Sequence, residues 1–178
     1  MTDTSRGWKI WAPSLLRTLF IPLCAVTYLG VTAWQNYLIE SSQPVFPDFS
    51  LPQVGAPGVQ LTKSGALSGP RLVVFWATWC APCQKQREIL DPWISQGQRQ
   101  NQVLGIATMD SPEQVEAAET THPHLFTSVL DQDGKIAGAL GIEALPVSLI
   151  VDKKGRVTRR FTGPLTRNDF HIIAQQLN

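Results

Sequence analysis

The sequence predicts an α/β fold: a central mixed sheet flanked by helices, with an N-terminal β-hairpin extension and one N-terminal transmembrane helix. Three observations predict it. An apolar, β-branched run from Leu72 to Trp76 stops just before two cysteines two residues apart, Cys80 and Cys83, the pattern of a buried strand feeding a helix. After that helix a second apolar strand runs from Val103 to Met109, and the right-handed crossover of such a βαβ unit sets the two strands parallel. Finally, Val147 to Val151 and Val157 to Phe161 are joined by Asp152-Lys153-Lys154-Gly155, a turn with its glycine at the end, which adds a hairpin.

The 178 residues, 43% of them hydrophobic, fit one globular domain plus an appendage. The appendage is N-terminal. No residue from Thr18 to Ile39 is charged, and about twenty apolar residues suffice to cross a hydrocarbon core of about 30 Å. The run is longer than the apolar core of a signal peptide and ends in Thr32-Ala33-Trp34-Gln35-Asn36, without a small-x-small cleavage pattern. The expected organisation is a cytoplasmic tail over 1–17, an uncleaved signal anchor over 18–39, a stalk over 40–47 and a folded domain over 48–178. Arg6, Lys9 and Arg17 precede the span while Glu40 and Asp48 follow it, which keeps the N-terminus inside. Trp8 and Trp11 on one side and Trp34 and Tyr37 on the other are placed as interfacial belts. In a bacterium the domain then faces the periplasm from the inner membrane, where disulfides persist. Cys24 reads as a small apolar residue of the span, since the large Leu23 before it makes a poor lipid-attachment site.

Within the domain, Phe49 to Leu51 and Val59 to Leu61 form the N-terminal hairpin around a Gly/Pro turn. The helix after the central strand runs from about Cys80 to Gln96, with Ile89, Leu90, Trp93 and Ile94 inward and a kink at Pro92. The next helix begins near Asp110-Ser111-Pro112-Glu113, a capping residue followed by a first-turn proline. Thr127 to Leu130 is a short strand, Asp131 to Gly134 a turn, Lys135 to Leu140 a short helix, and the amphipathic Asn168 to Leu177 a closing helix. Beyond Ser41 there are twelve basic and twelve acidic side chains, a balance that argues against nucleic acid as a partner. The cluster Lys153, Lys154, Arg156, Arg159 and Arg160 reads as a charged, solvated hairpin edge.

The chemistry sits at the two cysteines. At the first turn of a helix, unpaired N–H groups and the positive end of the helix dipole favour a thiolate, which makes Cys80 the nucleophile. Cys83 lies one turn on, on the same face, placed to resolve a mixed disulfide. A structural zinc site needs four ligands, and neither the remote Cys24 nor His122, His124 and His171 supply the spacing. A static bridge this short closes a tiny loop and removes little unfolded-state entropy. The redox reading needs no organic cofactor or metal, because the two sulfurs carry the electrons. The alternatives are a disulfide-donating oxidase and a Cu(I)-handling protein in which His122 and His124 assist the cysteines. Those histidines read more simply as exposed polar residues of a loop.

From about Pro47 onward the chain resembles the membrane-anchored thioredoxin-like proteins of the TlpA, ResA and CcmG group. The resemblance rests on Pro47-Asp48-Phe49-Ser50-Leu51, on Phe75-Trp76-Ala77-Thr78-Trp79-Cys80-Ala81-Pro82-Cys83, and on Gly141-Ile142-Glu143-Ala144-Leu145-Pro146 before a strand. It implies a thioredoxin-like fold and a thiol:disulfide oxidoreductase working mainly as a reductase, with Trp79, Ala81, Pro82, Leu145 and Pro146 meeting the substrate. Pro146 would be a cis-proline, turning the backbone of Leu145 outward to pair with an extended segment. The implied partners are protein disulfides, those of apocytochrome c or of a copper-tolerance protein, and a membrane thiol-electron transporter. Two positions depart from the pattern. Many relatives carry a glutamate three residues after the second cysteine, where this chain has Gln86, and thioredoxin carries a buried aspartate where this chain has Val74. Neither residue titrates. Glu143 is the candidate substitute for proton transfer, weighed against an ordinary surface carboxylate. The missing glutamate brings the copper-tolerance-associated ScsD-like branch into consideration beside cytochrome maturation.

Overall fold

The computed structural model describes residues 14–177, which divide into two compact units between Gln43 and Pro44. The first contributes helix α1 (Ser14–Ser42), which contains Pro22 and exposes Ile21, Val26, Tyr28, Leu29, Val31 and Trp34. Among the described residues no helix is long and apolar enough to cross a membrane. Trp8 and Trp11, with the charges at Arg6 and Lys9, lie outside the described residues.

The second unit begins with an antiparallel pair, β1 (Ser50–Pro52) and β2 (Gln60–Thr62), close to the expected hairpin. A short helix α2 (Lys63–Ala66) follows, which the sequence pattern did not reveal; its cap is the Thr62 side chain, accepting from the Gly65 N–H. Then come β3 (Arg71–Trp76), α3 (Ala81–Gly97), β4 (Val103–Thr108), α4 (Pro112–Thr121), β5 (Thr127–Asp131), α5 (Lys135–Ala139), β6 (Val147–Val151), β7 (Val157–Thr162) and α6 (Arg167–Leu177). The five-stranded sheet has the order β5-β4-β3-β6-β7. β3 and β4 are parallel, as are β4 and β5, while β6 is antiparallel to both β3 and β7.

This order explains the hydropathy. β3, β4 and β6 are inner strands covered on both faces, so they read as unbroken apolar runs rather than alternating ones. β7 is an edge, and Thr158, Arg159 and Arg160 are exposed along it, as the charged-edge reading expected. Arg156 forks onto the Asp152 carboxylate at 2.6 and 2.9 Å, which also accepts the Lys154 and Arg156 N–H groups and closes the turn. Helix α3 buries Cys83, Gln86, Leu90 and Ile94 at helical spacing and continues through Pro92. The opposite edge, β5, is covered by the chain leaving β1, where the Val54 N–H donates to the Ser128 carbonyl at 2.9 Å.

The expected stalk over 40–47 divides differently. Helix α1 runs to Ser42, and Pro44 to Phe46 are pinned to the β6–β7 hairpin: the Phe46 N–H donates to Gly155 O at 2.8 Å, and the Val157 N–H to Pro44 O at 2.9 Å. Phe46 is fully buried, edge-on to Phe49 with ring centroids 6.0 Å apart, because the core between the sheet and α5 needs a large apolar side chain there. Phe46→Ala should lower the unfolding free energy by about 3–5 kcal/mol in denaturant titration. A loss below about 1 kcal/mol would show that this segment is a loose stalk after all.

Candidate active site

β3 ends at Trp76, and four residues later Cys80 caps α3: its Sγ accepts the Cys83 N–H at 3.2 Å. The helix has Pro82 in its first turn, where a missing N–H costs nothing. Cys80 and Cys83 are joined as a disulfide with Cα atoms 5.3 Å apart. Both are buried, in one cluster with Trp76, Ala77, Ala107, Val115 and Leu130. Leu145 packs half-buried against that cluster, and the Leu145–Pro146 bond is cis. Trp79, Ala81 and Pro82 are exposed around the disulfide. Pro146 itself is buried at the start of β6. The fold therefore brings Leu145, placed about 65 positions downstream, to the cysteines. Glu143 is exposed on the loop before Pro146, and no hydrogen bond or ion pair holds it among the described residues.

The loop carrying the cysteines is fixed by a residue the sequence reading treated only as a helix start. Ser111 caps α4, accepting the Gln114 N–H, and this leaves Asp110 free. Its buried carboxylate accepts the Thr78 N–H at 2.6 Å and the Ser111 N–H at 2.9 Å. Met109 just before it adopts a left-handed φ of 52°, a conformation that costs a β-carbon-bearing residue about 1 kcal/mol, and its carbonyl accepts the Trp79 indole N–H at 3.1 Å. Gln84 closes the loop from the helix side, donating to Thr78 O at 3.1 Å.

With this geometry in place, a family model described as Redoxin matches residues 40–177. The chain belongs to the Redoxin family. It is similar to the thiol-disulfide oxidoreductase ResA of Geobacillus thermodenitrificans, 26% identical over 161 residues that cover 87% of this chain and 90% of that protein. It is also similar to the thiol:disulfide interchange protein HelX of Rhodobacter capsulatus, 28% identical over 163 residues, covering 84% and 89%. A crystal structure of a putative thiol:disulfide interchange protein DsbE from Chlorobium tepidum shares the fold, with a TM-score of 0.62 at 24% identity over 75% of this chain and 93% of that one. This redoxin is a thiol:disulfide oxidoreductase of thioredoxin-like fold, and Cys80–Cys83 is its CxxC pair.

Two further features lie behind the disulfide. Gln86 is buried, and its Oε1 accepts the Leu165 N–H at 3.0 Å, tying α3 to the turn before α6. His124, expected to be an exposed loop residue, is not: its side chain is only 4% accessible, because the loop folds inward between Trp76 and Phe126, whose ring centroids lie 4.3 and 4.9 Å away. Its Nδ1 pairs with Glu119 Oε1, and its backbone N–H donates to Glu119 Oε2 at 2.9 Å. Burial pushes the Glu119 carboxyl up, but the His124 hydrogen bonds and the His124 and Arg87 charges outweigh it and hold the group below its ordinary range. Gly105 makes the inward fold possible, since a β-carbon there would sit 2.3 Å from Ser128 Oγ and 2.7 Å from the Phe126 ring.

Asp110→Ala leaves the Thr78 N–H without its charge-assisted acceptor, a loss of about 1.5–3 kcal/mol. Amide exchange at Thr78 and Trp79 should accelerate at least tenfold while β3 and β4 stay protected; unchanged exchange at Thr78 would show that Asp110 does not hold the loop.

Proposed function

We propose that this redoxin is a membrane-tethered periplasmic reductase of protein disulfides. The observation that carries the reading is the position of Cys80 Sγ at the cap of α3, taking the Cys83 N–H, with Cys83 buried one turn further in. A sulfur held there by an N–H and by the helix dipole is stabilised as a thiolate when the bridge opens. Cys80 attacks a substrate disulfide, a mixed disulfide forms, and Cys83 displaces the reduced product as the Cys80–Cys83 bridge closes. A membrane thiol-electron transporter then restores the dithiol.

Exposed Trp79, Ala81 and Pro82 and the half-buried Leu145 supply the face on which an extended substrate segment lies. The reducing direction follows the TlpA, ResA and CcmG group that the chain resembles. That resemblance also carries the two candidate substrate classes, apocytochrome c and copper-tolerance proteins. The uncharged run over 18–39 and the exposed apolar side chains of α1 support the tether.

The full chain carrying Cys83→Ser tests this reading in cells. It should accumulate covalent adducts with other proteins, dissolved by dithiothreitol, in the membrane fraction, because the resolving thiol is gone. Absence of adducts would favour metal carriage over thiol exchange, and adducts confined to the unsedimented fraction would overturn the tether.

A further inference from the structure

The resolving step needs a group to take the proton of Cys83, and the positions nearest in sequence cannot supply one. Val74 is apolar, and Gln86 does not titrate and is occupied with Leu165. A cavity of about 540 Å³ nevertheless opens directly behind the disulfide, and Cys83 and His124 both line it. Its volume and its polar lining groups suit it to hold water, which can pass a proton between groups that do not touch.

The ring of His124 is held for such a role. Nδ1 is engaged by Glu119, while Nε2 has no hydrogen-bond partner among the described residues and is not one of their fully buried unpartnered atoms. Trp76 and Phe126 pack against the ring, tilted by 46° and 51°. Arg87 of α3 anchors the loop by donating to the carbonyls of His122 and Pro123, each at 2.9 Å, and is itself paired with Asp91 at 3.4 Å. The charged and titratable groups facing His124 are thus Glu119 from α4, Arg87, Glu88 and Asp91 from α3, and His122 from its own loop; β3 contributes the neutral Trp76. Of these, Arg87 pairs with Asp91 Oδ2 at 3.4 Å, Asp91 Oδ1 is buried without a hydrogen-bond partner among the described residues, and Glu88 and His122 are exposed. His124 is the more deeply buried of the two remaining bases, its side chain 4% accessible against 26% for Asp91, and Glu119 orients its ring as a carboxylate does for a catalytic imidazole.

We propose that His124, oriented by Glu119, accepts the proton of Cys83 through water in this cavity when the mixed disulfide is resolved. The Cys83 proton passes to water and on to His124 Nε2. The Cys83 thiolate attacks Cys80 Sγ, the bond between Cys80 and the substrate sulfur breaks, and its electron pair leaves on that sulfur, which takes a proton from solvent. One S–S bond forms as one breaks, and two electrons pass from the dithiol to the substrate. The proposal rests on the assignment of Cys80 as nucleophile and Cys83 as resolving thiol.

The test uses the reduced full chain and oxidised glutathione, following release of the first and second glutathione at pH 7 and pH 9. His124→Gln should slow the second release at least tenfold at pH 7, the lower end of a general-base contribution being about a hundredfold for direct transfer. The effect should shrink at pH 9, where solvent hydroxide competes with the imidazole for the proton. Attack by Cys80, read as adduct formation in a Cys83→Ser background, should stay within twofold. A second release within twofold of the parent at pH 7, or equal slowing of both steps at both pH values, overturns the proposal. Should His124→Gln fail to fold, Glu119→Gln reads the same step, and a parental profile in that variant overturns it equally. No adduct in the Cys83→Ser background would remove the underlying assignment and the proposal with it, whereas adducts with an unchanged second release overturn the proposal alone.

Discussion

Everything in the folded unit depends on one junction, where a strand buried on both faces stops and a helix starts five residues later. Inside β3 the backbone is satisfied by two neighbouring strands, and inside α3 by the helix itself; between them the chain must be held by other groups. Cys80 takes the Cys83 N–H, Asp110 takes the Thr78 N–H, and Gln84 reaches back to the Thr78 carbonyl. The same unpaired helix donors that make the junction costly to build make its sulfur reactive. Stability and chemistry therefore draw on a single set of hydrogen bonds.

That junction was readable from sequence because its signals are local. The β-branched run, the cysteine spacing and the first-turn proline lie within about a dozen residues, and each has a direct backbone meaning. The parallel β3–β4 pair and the β6–β7 hairpin were legible for the same reason. The role of Asp110 was not: as a cap candidate beside Ser111 it was indistinguishable from it, and only the packing of the β4–α4 loop against Thr78 separates the two. Phe46 and His124 escaped for a related reason. A phenylalanine among prolines reads as a linker, and a His-Pro-His reads as a surface loop, until Gly155 and Gly105 respectively give each a place to fold into.

Gln86 shows how a departure from a family pattern is accommodated. A carboxylate at that buried position would carry charge next to the resolving thiol; the amide instead accepts the Leu165 N–H and joins α3 to the approach of α6. The position keeps its acceptor and loses its titration. The His124–Glu119 pair lies on the loop entering β5 and on α4, with His124 lining the same cavity as Cys83, to which α3 adds Arg87, Glu88 and Asp91.

The direction of electron flow is the claim on which the biological account turns, and it is a property of the dithiol's potential relative to its partners. The equilibrium reduction potential of the full chain, measured in glutathione and dithiothreitol redox buffers, tests it most directly. The account predicts a value near or below about −220 mV, that of a reductase needing an electron supply; a value near about −120 mV would mark a disulfide donor and contradict it.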